Sequence, residues 1–197
     1  AVLCVGFCGC TTTPSGGGDP QPVGNWWDDP LLFADYDFAA VGSSPVVSEL
    51  DIPGARRDAA TNARAQLAAN VEAKVQSLNE NWSKRVGDLT DESSFSSYMN
   101  NESFRREIVD QTLTGAFIAK YQQEGRVYYV LAVLKDVSAF YTNMLAATEK
   151  RLETMAITEE LKSKARDRLD GILDQNREEA KERSQSVFAK LGIGSGS

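Results

Sequence analysis

Histidine is missing from all 197 residues, which removes His-based nucleophile triads, His general bases and imidazole metal ligands together. No Lys or Arg stands before Arg56, whereas seven acids do: Asp19, Asp28, Asp29, Asp35, Asp37, Glu49 and Asp51. They account for the whole net charge of −7, so from Arg56 onward 21 acids face 21 bases. No segment carries the basic surplus that binding to nucleic-acid phosphates requires, which excludes nucleic acid as a partner class. The acidic stretch reads as a solvated tether, or as a contact for a basic partner or a divalent cation. No apolar run approaches the ~20 residues of a membrane-spanning helix. At 42% hydrophobic residues the chain is still too apolar for wholesale disorder, and it is long enough for one buried core.

Cysteine is equally scarce: Cys4, Cys8 and Cys10, and none afterwards. Ala1 to Gly9 is apolar and ends in small residues, with no initiating Met and no basic segment ahead of it. It is expected to be the remainder of a signal peptide. Phe7-Cys8-Gly9-Cys10 resembles a bacterial lipobox, in which an apolar residue and two small ones precede the cysteine that receives diacylglycerol. Phe7 stands where Leu is usual. Cleavage ahead of Cys10 removes Cys4 and Cys8, leaving one lipid-bearing cysteine and no internal disulfide. Three acyl chains would hold firmly, since each buried CH₂ contributes about 0.8 kcal/mol. The C-x₃-C-x-C spacing lacks the second ligand pair of a metal site. Thr11 stands where lipoproteins kept at the inner membrane carry Asp, so the resemblance implies the outer membrane. Thr11 to Gly24, rich in Thr, Pro and Gly, has the composition of a flexible linker.

After the linker come Trp26, Trp27, Leu31, Leu32, Phe33, Tyr36 and Phe38. These aromatics either pack over the core or, at Trp26, Trp27 and Tyr36, form a clamp for a glycan or lipid. Tyr36 to Val41 is expected to be a short strand ended by the turn-prone Gly42-Ser43-Ser44-Pro45. A helix opens at Pro53-Gly54, with one apolar stripe through Ala60, Ala63, Leu67, Val71, Val75 and Leu78, and is expected to reach Leu78 or Trp82. The alanines at its start allow close approach to a sheet. Asp88 to Asn101 is polar and Ser-rich, a loop or short helix. A strand follows with Val109, Gln111, Leu113, Gly115, Phe117, Ala119 and Tyr121 on one face, then a turn at Gln122 to Gly125. Arg126 to Leu134 is a strand apolar on both faces, which calls for a central position, a second covering helix or a neighbouring subunit.

Helical period returns at Val137, Phe140, Tyr141, Met144, Leu145, Thr148, Leu152 and Met155. Thr158 is placed to cap a last helix with Glu159 and Glu160 in its first turn. Its seam, Leu161, Ala165, Leu169, Ile172, Asn176, Ala180, Arg183, Val187 and Leu191, has an eleven-residue repeat and is interrupted by polar residues. This helix is expected to dock on neighbours, which makes Leu161, Leu169, Ile172 and Val187 candidate contacts in an oligomer. Glu160/Lys164 and Glu179/Arg183 are spaced for ion pairs.

Motifs for phosphate cradles, nucleophile elbows and zinc hydrolases are absent. Asp28 and Asp29, being adjacent, point apart and make a poor acid/base pair. Arg56/Arg57 and Arg105/Arg106 suit an anionic ligand or simply exposed helix ends. The reading is therefore not an enzyme, with no cofactor beyond the covalent lipid on Cys10 and no metal.

Four features together resemble the LPP-twenty family of Gram-negative lipoproteins, which includes surface antigens and FlgP-type lipoproteins of the flagellar basal disk. They are the lipobox, Ala40-Val41-Gly42-Ser43, the Ala-rich segment Ala59-Ala60-x-x-Ala63-Arg64-x-x-Leu67-Ala68, and Gly125 to Leu134. The resemblance covers roughly Phe38 to Met144. It implies an α+β fold, a small antiparallel sheet with a long helix packed on one face, here followed by a C-terminal helical extension. The division is then 1–9 residual signal peptide, 10–25 lipidated N-terminus and tether, 26–157 the α+β domain, and 158–197 the C-terminal helix and frayed end. The resemblance implies a non-enzymatic outer-membrane protein, with an assembly role that extends to the flagellar motor and a homo-oligomer or envelope-complex proteins as partners. The alternative is a monomeric tethered module binding peptidoglycan, another glycan, or a periplasmic or surface protein.

Overall fold

In the computed structural model, which describes residues 26–27, 38–87 and 101–191, the run that is apolar on both faces is the central strand of a sheet. The sheet is antiparallel and three-stranded, in the order β1 (Ala39–Pro45), β3 (Val127–Leu134), β2 (Ala116–Glu124). Gly125 and Arg126 make the two-residue turn between β2 and β3, and Gly125, at φ 55°, occupies the left-handed region that a side chain would resist.

β1 does not end at Val41 as expected but runs on through Gly42-Ser43-Ser44 to Pro45. Gly42 serves close approach, not a turn. A Cβ placed there would collide with the Ala63 amide nitrogen and the Ala59 carbonyl oxygen, and would lie 2.7 Å from Ala63 Cα. Pro45 is tolerated because it ends an edge strand, where no ladder bond from its nitrogen is needed.

The helix that presses on Gly42 is α1 (Ile52–Gly87), longer than its stripe implies. A short 3₁₀ turn, Glu49–Asp51, leads into it, and Pro53 sits in the first turn, where its missing N–H costs nothing. Ala55, Ala59, Ala63, Leu67, Val71, Val75, Leu78, Trp82 and Val86 are all buried. Each four-residue step overshoots a turn by roughly 40°. The buried face therefore winds around α1, from the sheet at its alanine end to the other helices at its large-residue end. Asn62 Nδ2 donates to the Ser43 carbonyl (2.9 Å) and Asn70 Nδ2 to the Ala39 carbonyl (3.0 Å), so α1 also clamps the outer edge of β1.

Two expectations around β2 are overturned. Val109 to Leu113 belongs to a helix, α2 (Glu102–Leu113), and not to a strand. Asn101 caps it by accepting from the Ser103 N–H at 2.8 Å, and Phe104, Ile108, Val109 and Thr112 bury one helical face. Within the strand itself, the register slips between Ile118 and Lys120. This bulge at Ala119 breaks the alternation, so Phe117, opposite Val133, and Tyr121, opposite Val130, lie on opposite faces of the sheet.

Asp136 caps α3 (Val137–Glu153) by accepting from Ser138 and Ala139. Phe140 and Tyr141 of α3 hold Phe38, with ring centroids 5.0 and 6.2 Å away. Thr158 Oγ1 accepts from the Leu161 N–H at the start of α4 (Glu159–Leu191), as its position implies. The Glu160–Lys164 and Glu179–Arg183 pairs form at 2.7 and 3.8 Å. The thin seam of α4 nonetheless adds Ala165, Leu169, Ile172, Leu173 and Ala180 to the same buried cluster as α1 and the sheet. Trp82, fully buried, donates from Nε1 to the Ala165 carbonyl at 2.9 Å and fastens α4 to α1. The fold is thus α+β, a small antiparallel sheet with a long helix across one face and a C-terminal helical extension docked beside it.

Candidate functional site

Cys4, Cys8, Cys10 and Tyr36 lie outside the described residues. Of the three aromatics suggested for a clamp only Trp26 and Trp27 are placed, and both are half-buried. Their rings meet edge to face at 5.3 Å, and Trp27 stacks on Tyr129 of β3 at 5.4 Å and 19°. Tyr129 pairs with Ser43 and so faces away from α1, on the opposite side of the sheet from Gly42. The two tryptophans therefore lie against the sheet face that α1 leaves, and Trp26 also packs on the core. Both rings pack on the protein itself and keep part of their surface exposed.

Of the candidate oligomer contacts, Leu169 and Ile172 are 0% and 1% exposed. They are interior residues of the protomer and offer nothing to a second copy while α4 stays docked. Leu161 is half-buried, and the side chain of Val187 falls outside what is described. The two-sided apolar strand also needs no partner subunit, because Val130 to Leu134 are buried within the chain itself.

The apolar surface left over lies elsewhere, at Val47 and Leu50 before α1 and at Phe117 and Tyr121 on β2. The sequence places a strand here but sets Phe117 and Tyr121 on one face, because the bulge at Ala119 that puts one ring on each face has no local signature. Arg56 lies over the Tyr121 ring at 3.8 Å, and a hydrogen bond with Tyr121 raises the pKa of its guanidinium still further.

Two concavities lie among the described residues. One, of about 670 Å³, is open and runs along the polar flank of α2 from Asn101 to Gln111. Another, of about 190 Å³, lies between α2 and α3, where Arg151 sits over the Phe104 ring at 4.9 Å. The carboxylates with displaced pKa values, Glu159 and Glu160, are fully exposed and lowered by their hydrogen bonds to Lys162 and Lys164. Among the described residues no group of three or more Cys, Asp or Glu is placed to hold a metal, and no helix is long and apolar enough to cross a membrane. Arg105 reaches Glu72 (3.8 Å) and Arg106 reaches Glu102 (2.7 Å), so neither is aimed at a shared anion site.

No curated protein matches the chain. The model of the LPP20 lipoprotein family does, over residues 34–135. That span takes in the whole sheet, the long helix pressed on Gly42 and the turn at Gly125, and it amounts to just over half of the sequence. Lipoproteins of the cell envelope, not known as enzymes, make up this family, and with the fold and the match in agreement the chain belongs to the LPP20 lipoprotein family.

Proposed function

We propose that this protein is held at the outer membrane by lipid on Cys10 and has a structural or assembly role in the envelope, with no catalytic activity of its own. Family membership carries this reading. The lipobox at Phe7 to Cys10, Thr11 in place of a retention Asp, and the linker that follows support the anchor and its destination. The docking of Trp26 and Trp27 supports the rest. The stacking of Trp27 on Tyr129, with Trp26 against it, favours a scaffold over a tethered binding module. Nothing in the chain itself points to the flagellar motor, which comes with the resemblance alone.

The test is metabolic labelling with palmitate followed by separation of inner and outer membranes. Label in the protein, abolished by Cys10→Ser, with the protein in the outer-membrane fraction, is the expected result. Label retained in Cys10→Ser overturns the anchor, and sedimentation with the inner membrane overturns the destination.

A further inference from the structure

Edge strands invite pairing, and the two edges of this sheet are treated differently. At β1, α1 lies close alongside, and Asn62 and Asn70 occupy the outward carbonyls of Ser43 and Ala39. At β2, among the described residues, no strand or helix covers the outer edge. We infer that β2 is an interface for a second copy of this chain, pairing antiparallel with its counterpart about Gln122 to make one continuous six-stranded sheet. This inference rests on the assembly role proposed above and names its contact.

The register follows from which backbone groups are free. The two-residue turn closes with Glu124 opposite Val127, a pair that exchanges both its bonds across the hairpin. Glu124 and Gln122 therefore face β3, and Gln123 and Tyr121 turn their N–H and C=O outward. The Gln123 carbonyl accordingly accepts from the Gln122 side-chain amide at 3.2 Å. A two-fold axis at Gln122 sets Tyr121 opposite Gln123 of the second copy, and Gln123 opposite Tyr121. All the outward groups of these residues are then used, in four backbone hydrogen bonds.

The same axis sets Lys120 opposite Glu124 twice, on the face away from α1. Moving the axis by one residue loses this match: centred on Tyr121 it puts Lys120 opposite Gln122, and centred on Gln123 it puts Lys120 opposite Arg126. A lysine in mid-edge repels casual strands. Only a partner with an acid four residues on satisfies it, and a second copy brings one. Because α1 clamps the β1 edge, pairing stops at two copies, and larger assemblies would grow from dimers by other surfaces.

The test is light scattering of the 197-residue chain across a concentration series, in reductant so that Cys4, Cys8 and Cys10 cannot cross-link copies. The expected mass rises to twice 21.5 kDa. Lys120→Glu and Glu124→Lys each raise the dissociation constant about tenfold or more, from repulsion at two symmetric pairs. The double swap restores it, which a merely misfolded variant could not do. Gln123→Pro, which removes an outward N–H and leaves the β2–β3 ladder alone, gives a monomer with an unchanged circular dichroism spectrum. An oligomer indifferent to the swaps overturns the β2 contact and leaves the assembly role standing, whereas a monomer at every concentration counts against both.

Discussion

Gly42→Ala adds one methyl group at the place where strand and helix backbones touch. Its Cβ would sit 2.7 Å from Ala63 Cα, with Ala63 N and Ala59 O closer still, whereas non-bonded carbons rest at about 3.5–4.0 Å. All three are backbone atoms, so no side chain can swing aside and α1 must move off β1 by roughly 1 Å. That displacement stretches the Asn62–Ser43 and Asn70–Ala39 bonds, now 2.9 and 3.0 Å, beyond useful length. Losing them costs about 1 kcal/mol each, and overpacking adds about 1–3 kcal/mol. The alanine returns only about 0.4–1 kcal/mol by narrowing the unfolded ensemble. A net loss of about 3 kcal/mol follows, which at a urea slope of ~2 kcal/mol/M lowers the midpoint by ~1.5 M with the slope unchanged. Gly171→Ala is the control: it lies in α4 with open space around it and should stabilise by about 0.5–1 kcal/mol. A Gly42→Ala midpoint within about 0.3 M of the parent chain would refute the close-contact account.

Asn70→Ala, which frees the Ala39 carbonyl, should lower stability by about 1 kcal/mol in the same urea assay, and an unchanged midpoint would remove the edge clamp from the account. Leu169→Asp should unfold the chain or release α4, seen as a thermal midpoint lower by 10 °C or more, on the order of what an unpaired buried charge costs. A native melt with a changed oligomer mass would return Leu169 to the surface. The carboxyls of Glu159 and Glu160 are held below their ordinary 4.5 by Lys162 and Lys164, so what they contribute is present above that pH and lost as pH falls through the lowered values. A thermal-midpoint difference between the parent chain and Glu160→Gln should therefore be seen at pH 7 and shrink as the pH falls below 4.5, and a difference undiminished in acid would contradict the pairing.

The long helices are legible in the sequence because each buries one stripe, and a stripe shows in the spacing of apolar residues. β3 is legible for the opposite reason, being apolar on both sides, as only a covered central strand is. The failures share a cause, which is that a local pattern is overruled by residues outside it, some nearby in the chain and some far away. Gly42-Ser43-Ser44-Pro45 has turn chemistry, yet Gly42 is there because Ala59 and Ala63 of another element press on it. Val109, Gln111 and Leu113 alternate like a strand, but the Asn101 cap and the burial of Phe104 and Ile108 draw them into a helix. Leu169 and Ile172 look like a weak intermolecular seam, yet they join the one buried cluster that α1, α3 and the sheet build, with Trp82 of α1 bonded to α4 at Ala165, 83 residues away. Of the residues proposed to function, Cys10 is legible only through its neighbours Phe7 to Gly9, and the β2 edge is not legible at all, since exposing it takes a bulge and the topology β1-β3-β2.

The central claim is the lipid anchor, and intact-mass analysis of the N-terminal peptide from membrane-purified protein tests it most directly. The account predicts a peptide that begins at Cys10 and carries diacylglycerol on Sγ and a third acyl chain on its α-amine. A peptide that retains residues 1–9, or one with an unmodified Cys10 thiol, would contradict it.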